Sequence, residues 1–214
     1  MRILGNNVRA LELIIALNAL IFVIEVFAIS TGSTGFIFKN FALTPASIMQ
    51  EPWTIITSMF LHADAWHLFF NMFVLYFFGM YLERLVGENN LLKTYFLGGI
   101  LAGIAYLFTS FAFNIPPPHI SAIGASGAVF AVMGALVVLR PRLALFVFPF
   151  PFPMPLYVWT IIYTFMALTD MMTSMGGVAH NAHLGGLIAG IYFGMQFKKK
   201  MITYVQEYYP RRYF

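Results

Sequence analysis

Gly124-Ala125-Ser126-Gly127 places a serine at the mouth of an apolar segment running from Ala128 to Leu139. Alone, a serine among small residues there is either a packing residue or a nucleophile. A serine hydroxyl attacks a carbonyl only when a neighbouring base takes its proton. Histidine does this near neutral pH and returns the proton to the leaving group. Two further segments carry the polar residues such chemistry needs, His67-Leu68-Phe69-Phe70-Asn71 and His180-Asn181-Ala182-His183-Leu184-Gly185-Gly186. His183 is the candidate base. His67 and Asn71, four residues apart, share one helix face. With the Ser126 N–H they are candidate donors to the oxyanion of an acyl-transfer intermediate. The chain has two aspartates, Asp64 and Asp170, and neither is placed to complete a triad, so the reading is a Ser–His dyad.

These residues must be held in lipid. The 214-residue chain is 60% hydrophobic and 9% charged, with mean hydropathy +0.81, whereas soluble domains carry about 25% charged residues. An all-α integral membrane protein of one domain, residues 1–214, is expected. A span needs about 20 mostly apolar residues, and six are read at 9–29, 66–85, 91–112, 125–139, 154–170 and 180–197. The first is long and carries Glu12, Asn18 and Glu25, so it is read as an anchor rather than a cleavable signal. The fourth and sixth are short and glycine-rich and are expected inside the bundle. The connection 30–65 is too apolar for a free loop and is expected in the outer interface, with Trp53 as an interfacial anchor. Pro149, Pro151, Pro153 and Pro155 are expected to make a stiff extended entry to the fifth span. The chain has no cysteine, which excludes disulfides and thiolate chemistry.

With the N-terminus inside, Lys39 is the sole outer residue among twelve Lys and Arg. This positive-inside bias sets both termini in the cytoplasm. The net charge of +4 is thus an orientation signal, not a nucleic-acid signal. Ser126, His183, His67 and Asn71 then fall in one outer layer, reached from three helices. Gly186, Gly190 and Gly194 form a small-residue face that allows close backbone approach, and His183 lies on it. Gly127, Ala131 and Ala135 offer the same spacing on the fourth span. Contact between these faces brings His183 to Ser126. Ser126–Leu139 covers roughly 21 Å of a core about 30 Å thick, so Ser126 is expected below the outer surface in a water-filled cavity.

At this point the chain resembles the rhomboid intramembrane serine proteases, from the first loop through the sixth span. Gly124-Ala125-Ser126-Gly127 is similar to that family's Gly-x-Ser-Gly, and His67 to Asn71 to its His-x-x-x-Asn. Ala182-His183-Leu184-Gly185-Gly186 with Gly190 is similar to Ala-His-x-x-Gly-x-x-x-Gly. Glu83-Arg84 with Gly87 also fits. The resemblance implies a compact six-span prokaryotic form in the cell membrane, its site opening to the extracytoplasmic side. It implies Ser126 as nucleophile, His183 as general base, and His67 and Asn71 at the oxyanion. Gly186 and Gly190 would pack the sixth span on the fourth. Residues 171–179 would cap the site and the fifth span would gate it. Substrates would be transmembrane segments of other proteins within the lipid bilayer; no metal, cofactor or nucleic acid is implied. Two positions depart from the family: Thr54 follows Trp53 where arginine is frequent, and Phe130 stands where many members have a tyrosine that stacks on the histidine.

Other readings of the same chain are a catalytically silent rhomboid-like protein that binds membrane helices, and a small-solute channel or transporter. The second is disfavoured by the lack of an inverted repeat. The lack of His-Glu-x-x-His argues against a metalloprotease. Outside the site, His62 and His180 are expected to be local polar residues and His119 a loop residue. Asn18 and Glu25 are expected to bond to neighbouring helices or face water.

Overall fold

The computed structural model describes residues 2–3, 6–7, 9–146, 152–173 and 179–208. The apolar runs fold as helices because only a helix satisfies its backbone polar groups internally in lipid. Helix α1 covers Ala10–Ser30, α2 Thr34–Phe41, α3 Thr54–Thr57, α4 Ala65–Val86, α5 Glu88–Phe113, α6 Ser126–Leu139, α7 Leu156–Thr173 and α8 His180–Tyr208. By length and hydropathy α1, α4 and α5 qualify as membrane-crossing helices, while α6 and residues 156–169 of α7 are shorter apolar helices. The protein is a membrane protein built from helices. Two minimal β-ladders accompany them, Arg2–Ile3 with Asn6–Asn7 and Ala144–Leu145 with Met154–Pro155.

Most helix ends extend past the apolar runs. Charged residues do not end a helix when they are good helix formers. Hence Lys198, Lys199 and Lys200 continue α8, and Glu88 begins α5 directly after Gly87. Helix α7, the fifth expected span, starts later than expected, at Leu156, because Met154 and Pro155 are taken into the ladder. Of the proline-rich entry, residues 147–151 lie outside the described residues, as does most of the expected cap, 174–178.

The apolar connection after α1 folds into two short helices and two 3-10 turns, Pro45–Ser47 and Ser58–Phe60. It is fastened to the segment leading into α6. Leu43 and Ala122 exchange backbone hydrogen bonds of 3.0 and 2.9 Å, and Gly124 N–H donates to the Ser58 carbonyl at 2.8 Å. The half-exposed Trp53 donates its indole N–H to the Asn40 carbonyl at 2.8 Å. Buried Glu25 accepts the His62 N–H at 3.1 and 3.2 Å, tying α1 to this connection. Asn18 is also buried, its amide donating to Ile14 and toward Tyr95 of α5.

Helix α6 is the core of the bundle. Ala128, Val129, and every residue from Ala131 to Leu136, are buried. Its tightest neighbour is α8. A β-carbon at Gly186 would collide with the Gly127 carbonyl, and one at Gly190 with the Ala131 carbonyl. At Gly194 it would stand 2.7 Å from the Ala135 carbonyl oxygen. The two small-residue faces therefore meet in register, residue against residue.

Candidate functional site

Seating α8 on α6 brings the His183 ring over the first turn of α6. His183 Nε2 lies 2.6 Å from Ser126 Oγ. The ring is buried and stacks on Phe130 at 4.6 Å between centroids and 22° between planes. Phe130 thus supplies an aromatic face four residues after Ser126. The start of α8 is held by Asn181, which donates to Thr109 Oγ1 and to the Ile115 carbonyl. This sets the height at which His183 meets Ser126.

His67 is fixed from three sides. Asp64 caps α4 by accepting the His67 backbone N–H at 2.8 Å. The His67 carbonyl accepts from Asn71 Nδ2 at 2.9 Å. The ring Nδ1 accepts the Ala63 N–H at 3.3 Å. A neutral imidazole that accepts at Nδ1 carries its proton at Nε2, so His67 presents Nε2–H as a donor. That atom faces Gly124, whose φ of +116° lies in the region that favours glycine. A β-carbon there would sit 2.8 Å from His67 Nε2, 2.9 Å from its Cε1 and 3.7 Å from Ser126 Oγ. Gly124 makes room chiefly for His67, and only secondarily for the serine.

Asn71 is buried, yet it borders the same cavity as Ser126, His67 and His183. One of its two amide protons is engaged by the His67 carbonyl; the other is the donor available to a guest. The opening N–H groups of a helix have no intrahelical acceptor and attract negative charge, and Ser126 begins α6. Donors from α4 and α6 therefore border the cavity that Ser126 lines.

The cavity measures about 1580 Å³. Ser126 lines it, together with Phe70, Phe73 and Phe77 of α4 and Trp159 and Tyr163 of α7. Peptide-sized apolar groups suit such walls.

His62 stands beside the site, its ring T-shaped against His67 at 5.1 Å. It is a local polar residue, as expected, its Nδ1 3.2 Å from the Phe60 carbonyl, and it is buried. Burial, reinforced by the neighbouring His67, lowers its pKa to about 4, so the ring is neutral at physiological pH. His119 is exposed in the segment after α5.

One polar contact was absent from the sequence reading. The Tyr163 hydroxyl of α7 lies 2.6 Å from His183 Nδ1, and its ring also stacks against Phe130 at 4.4 Å and 28°. A tyrosine within an apolar run reads as core or interface, and no spacing rule pairs α7 with α8.

Comparison with known proteins bears on the same residues. The chain is 34% identical over 146 residues to RHOMBOID-like protein 12, mitochondrial, of Arabidopsis thaliana, covering 62% of this chain and 43% of that protein. It is 32% identical over 143 residues to Rhomboid protease GluP of Bacillus subtilis, covering 66% and 25%. A shorter match, 37% over 89 residues, covers 41% of this chain and 23% of Inactive RHOMBOID-like protein 8 of Arabidopsis thaliana. The matched part is less than half the length of each of these relatives. The family model described as Rhomboid domain matches residues 49–200, a stretch that takes in α4 to α8 up to Lys200 and every residue of the site, and by that match the chain belongs to the rhomboid family.

Proposed function

We propose that this chain is an intramembrane serine endopeptidase that cleaves transmembrane segments of other membrane proteins. The observation that carries the reading is the 2.6 Å contact between Ser126 Oγ and His183 Nε2 inside a cavity with apolar walls. Ser126 Oγ attacks the scissile carbonyl carbon as its proton passes to His183 Nε2. The carbonyl oxygen becomes an oxyanion facing His67 Nε2–H, the second Asn71 amide proton and the Ser126 N–H. On collapse the C–N bond breaks and the amine leaves with the proton from His183. Water, activated by the same ring, then hydrolyses the acyl ester on Ser126. Gly124, Gly127, Phe130, Gly186 and Gly190 support this geometry through packing alone.

The proposed setting is six spans with both termini in the cytoplasm, in a cell membrane, the cavity opening to the extracytoplasmic side. The charge distribution supports that orientation. One relative is named an inactive protein, so a silent helix-binding role is the competing reading; the intact Ser126–His183 contact favours the protease. The test incubates purified protein, in detergent or liposomes, with single-pass substrates. Wild type cleaves, and Ser126→Ala and His183→Ala do not. Cleavage that survives Ser126→Ala contradicts the mechanism.

A further inference from the structure

We propose that Tyr163 is a positioning residue for His183: its hydroxyl oxygen accepts the Nδ1–H and so leaves Nε2 unprotonated toward Ser126. The inference rests on the protease reading above and adds a residue that the motifs do not contain.

A neutral imidazole has one ring proton. The His183 ring has two hydroxyl neighbours, Ser126 at Nε2 and Tyr163 at Nδ1, each at 2.6 Å. If Tyr163 donated, Nδ1 would be the acceptor and Nε2 would carry the proton. The ring would then point an N–H at Ser126 and could not take the serine's proton. With Tyr163 accepting, Nε2 offers its lone pair and the Ser126 O–H points into it. Only this arrangement makes the ring a base. Among the described residues no carboxylate bonds to this ring, so the phenol oxygen occupies the place an acid holds in a triad. When Nε2 takes the serine proton the ring becomes a cation, and the Nδ1–H···O bond becomes charge-assisted and stronger.

The aromatic stack defines the geometry. Phe130 lies against both rings, 4.4 Å from Tyr163 and 4.6 Å from His183. It orients both ring planes but has no hydroxyl. Phe130 is thus the common backing of the two rings, and the polar contact comes from α7. That helix bears exposed Ile161, Phe165, Met166 and Leu168, so any shift of α7 away from α8 carries the acceptor off with it.

The experiment compares wild type with Tyr163→Phe, which keeps the ring and the stack and removes only the oxygen. Turnover of a single-pass substrate should fall about tenfold to a hundredfold in kcat, the scale of one hydrogen bond to a charged group, with KM unchanged. In protein labelled with 15N-histidine, the His183 signals, identified by their loss in His183→Gln, should show a protonated Nδ1 and a bare Nε2. Tyr163→Phe should move the ring toward the other tautomer. A wild-type ring protonated at Nε2 overturns the proposal whatever the activity, as does unchanged kcat in Tyr163→Phe with Ser126-dependent cleavage intact. Cleavage that persists in Ser126→Ala overturns instead the protease reading beneath it.

Discussion

The α6–α8 seam and the α4–α7 cleft border the same serine, yet they are built oppositely. Along the seam glycines let backbones touch, and no side chain fits between Gly186 and Gly127 or between Gly190 and Ala131. Across the cleft large aromatic residues, Phe70 and Phe73 against Trp159 and Tyr163, stand apart around about 1580 Å³ of open space. Ser126 and His183, the proposed reacting pair, are anchored to the seam side. Catalysis by a hydrogen-bonded pair demands positioning that a misplacement of about 1 Å would ruin, and a backbone-on-backbone seam meets that demand. Entry of a bulky helical guest demands space, which a seam could not give.

The largest effect should come from filling the seam. Gly190→Val puts side-chain atoms into the Ala131 carbonyl, a backbone collision that no rotamer relieves. Stability should fall by more than ~4 kcal/mol, read as the midpoint of thermal unfolding in detergent. A well-folded Gly190→Val protein would show that the seam is not tight.

Next is Asn71, on the cleft side and bordering the same cavity as the serine. Asn71→Ala should raise the barrier by ~2.7–4 kcal/mol, or about 10²–10³ in kcat, as at other oxyanion sites. An unchanged rate removes Asn71 from that role.

A smaller effect is expected at His62, whose buried ring stays neutral in the folded protein down to about pH 4 against 6.5 when unperturbed. Between these values the unfolded chain holds the extra proton, so stability declines as pH falls, by at most ~1.4 kcal/mol per unit. His62→Gln should flatten this decline in unfolding measured from pH 7 to pH 4. Equal slopes in the two proteins would place the ring in water.

The smallest effect belongs to the cleft wall. Phe70 is 58% exposed, and Phe70→Ala should change stability by no more than ~0.5 kcal/mol while altering KM for a transmembrane substrate. A change in kcat alone would mean that Phe70 acts on the serine rather than on the guest.

The seam was legible in the sequence because small residues every four positions can only serve close approach, and they aligned His183 with Ser126. The order of the long helices was legible from the apolar runs. The short helices α2 and α3 were not, since hydropathy does not separate an interfacial helix from an apolar loop. Nor were the true ends of α5 and α8, where charged helix formers continue the turn. The local bond of the His62 ring, to the Phe60 carbonyl, was expected, but its burial was not, because nothing in the sequence revealed that Glu25 would reach its backbone N–H. Tyr163 was hidden for a deeper reason. Its contact depends on how α7 is rotated about its own axis, which is decided by packing on α8 and α6 and not by any local pattern.

The central claim is that His183 activates Ser126 on the rigid side of the cleft. It is tested most directly by a fluorophosphonate probe and peptide mass spectrometry on the purified protein. The account predicts a covalent adduct on Ser126 in wild type, with labelling slowed strongly in His183→Ala. An adduct on any other residue, or equal labelling rates with and without His183, would contradict it.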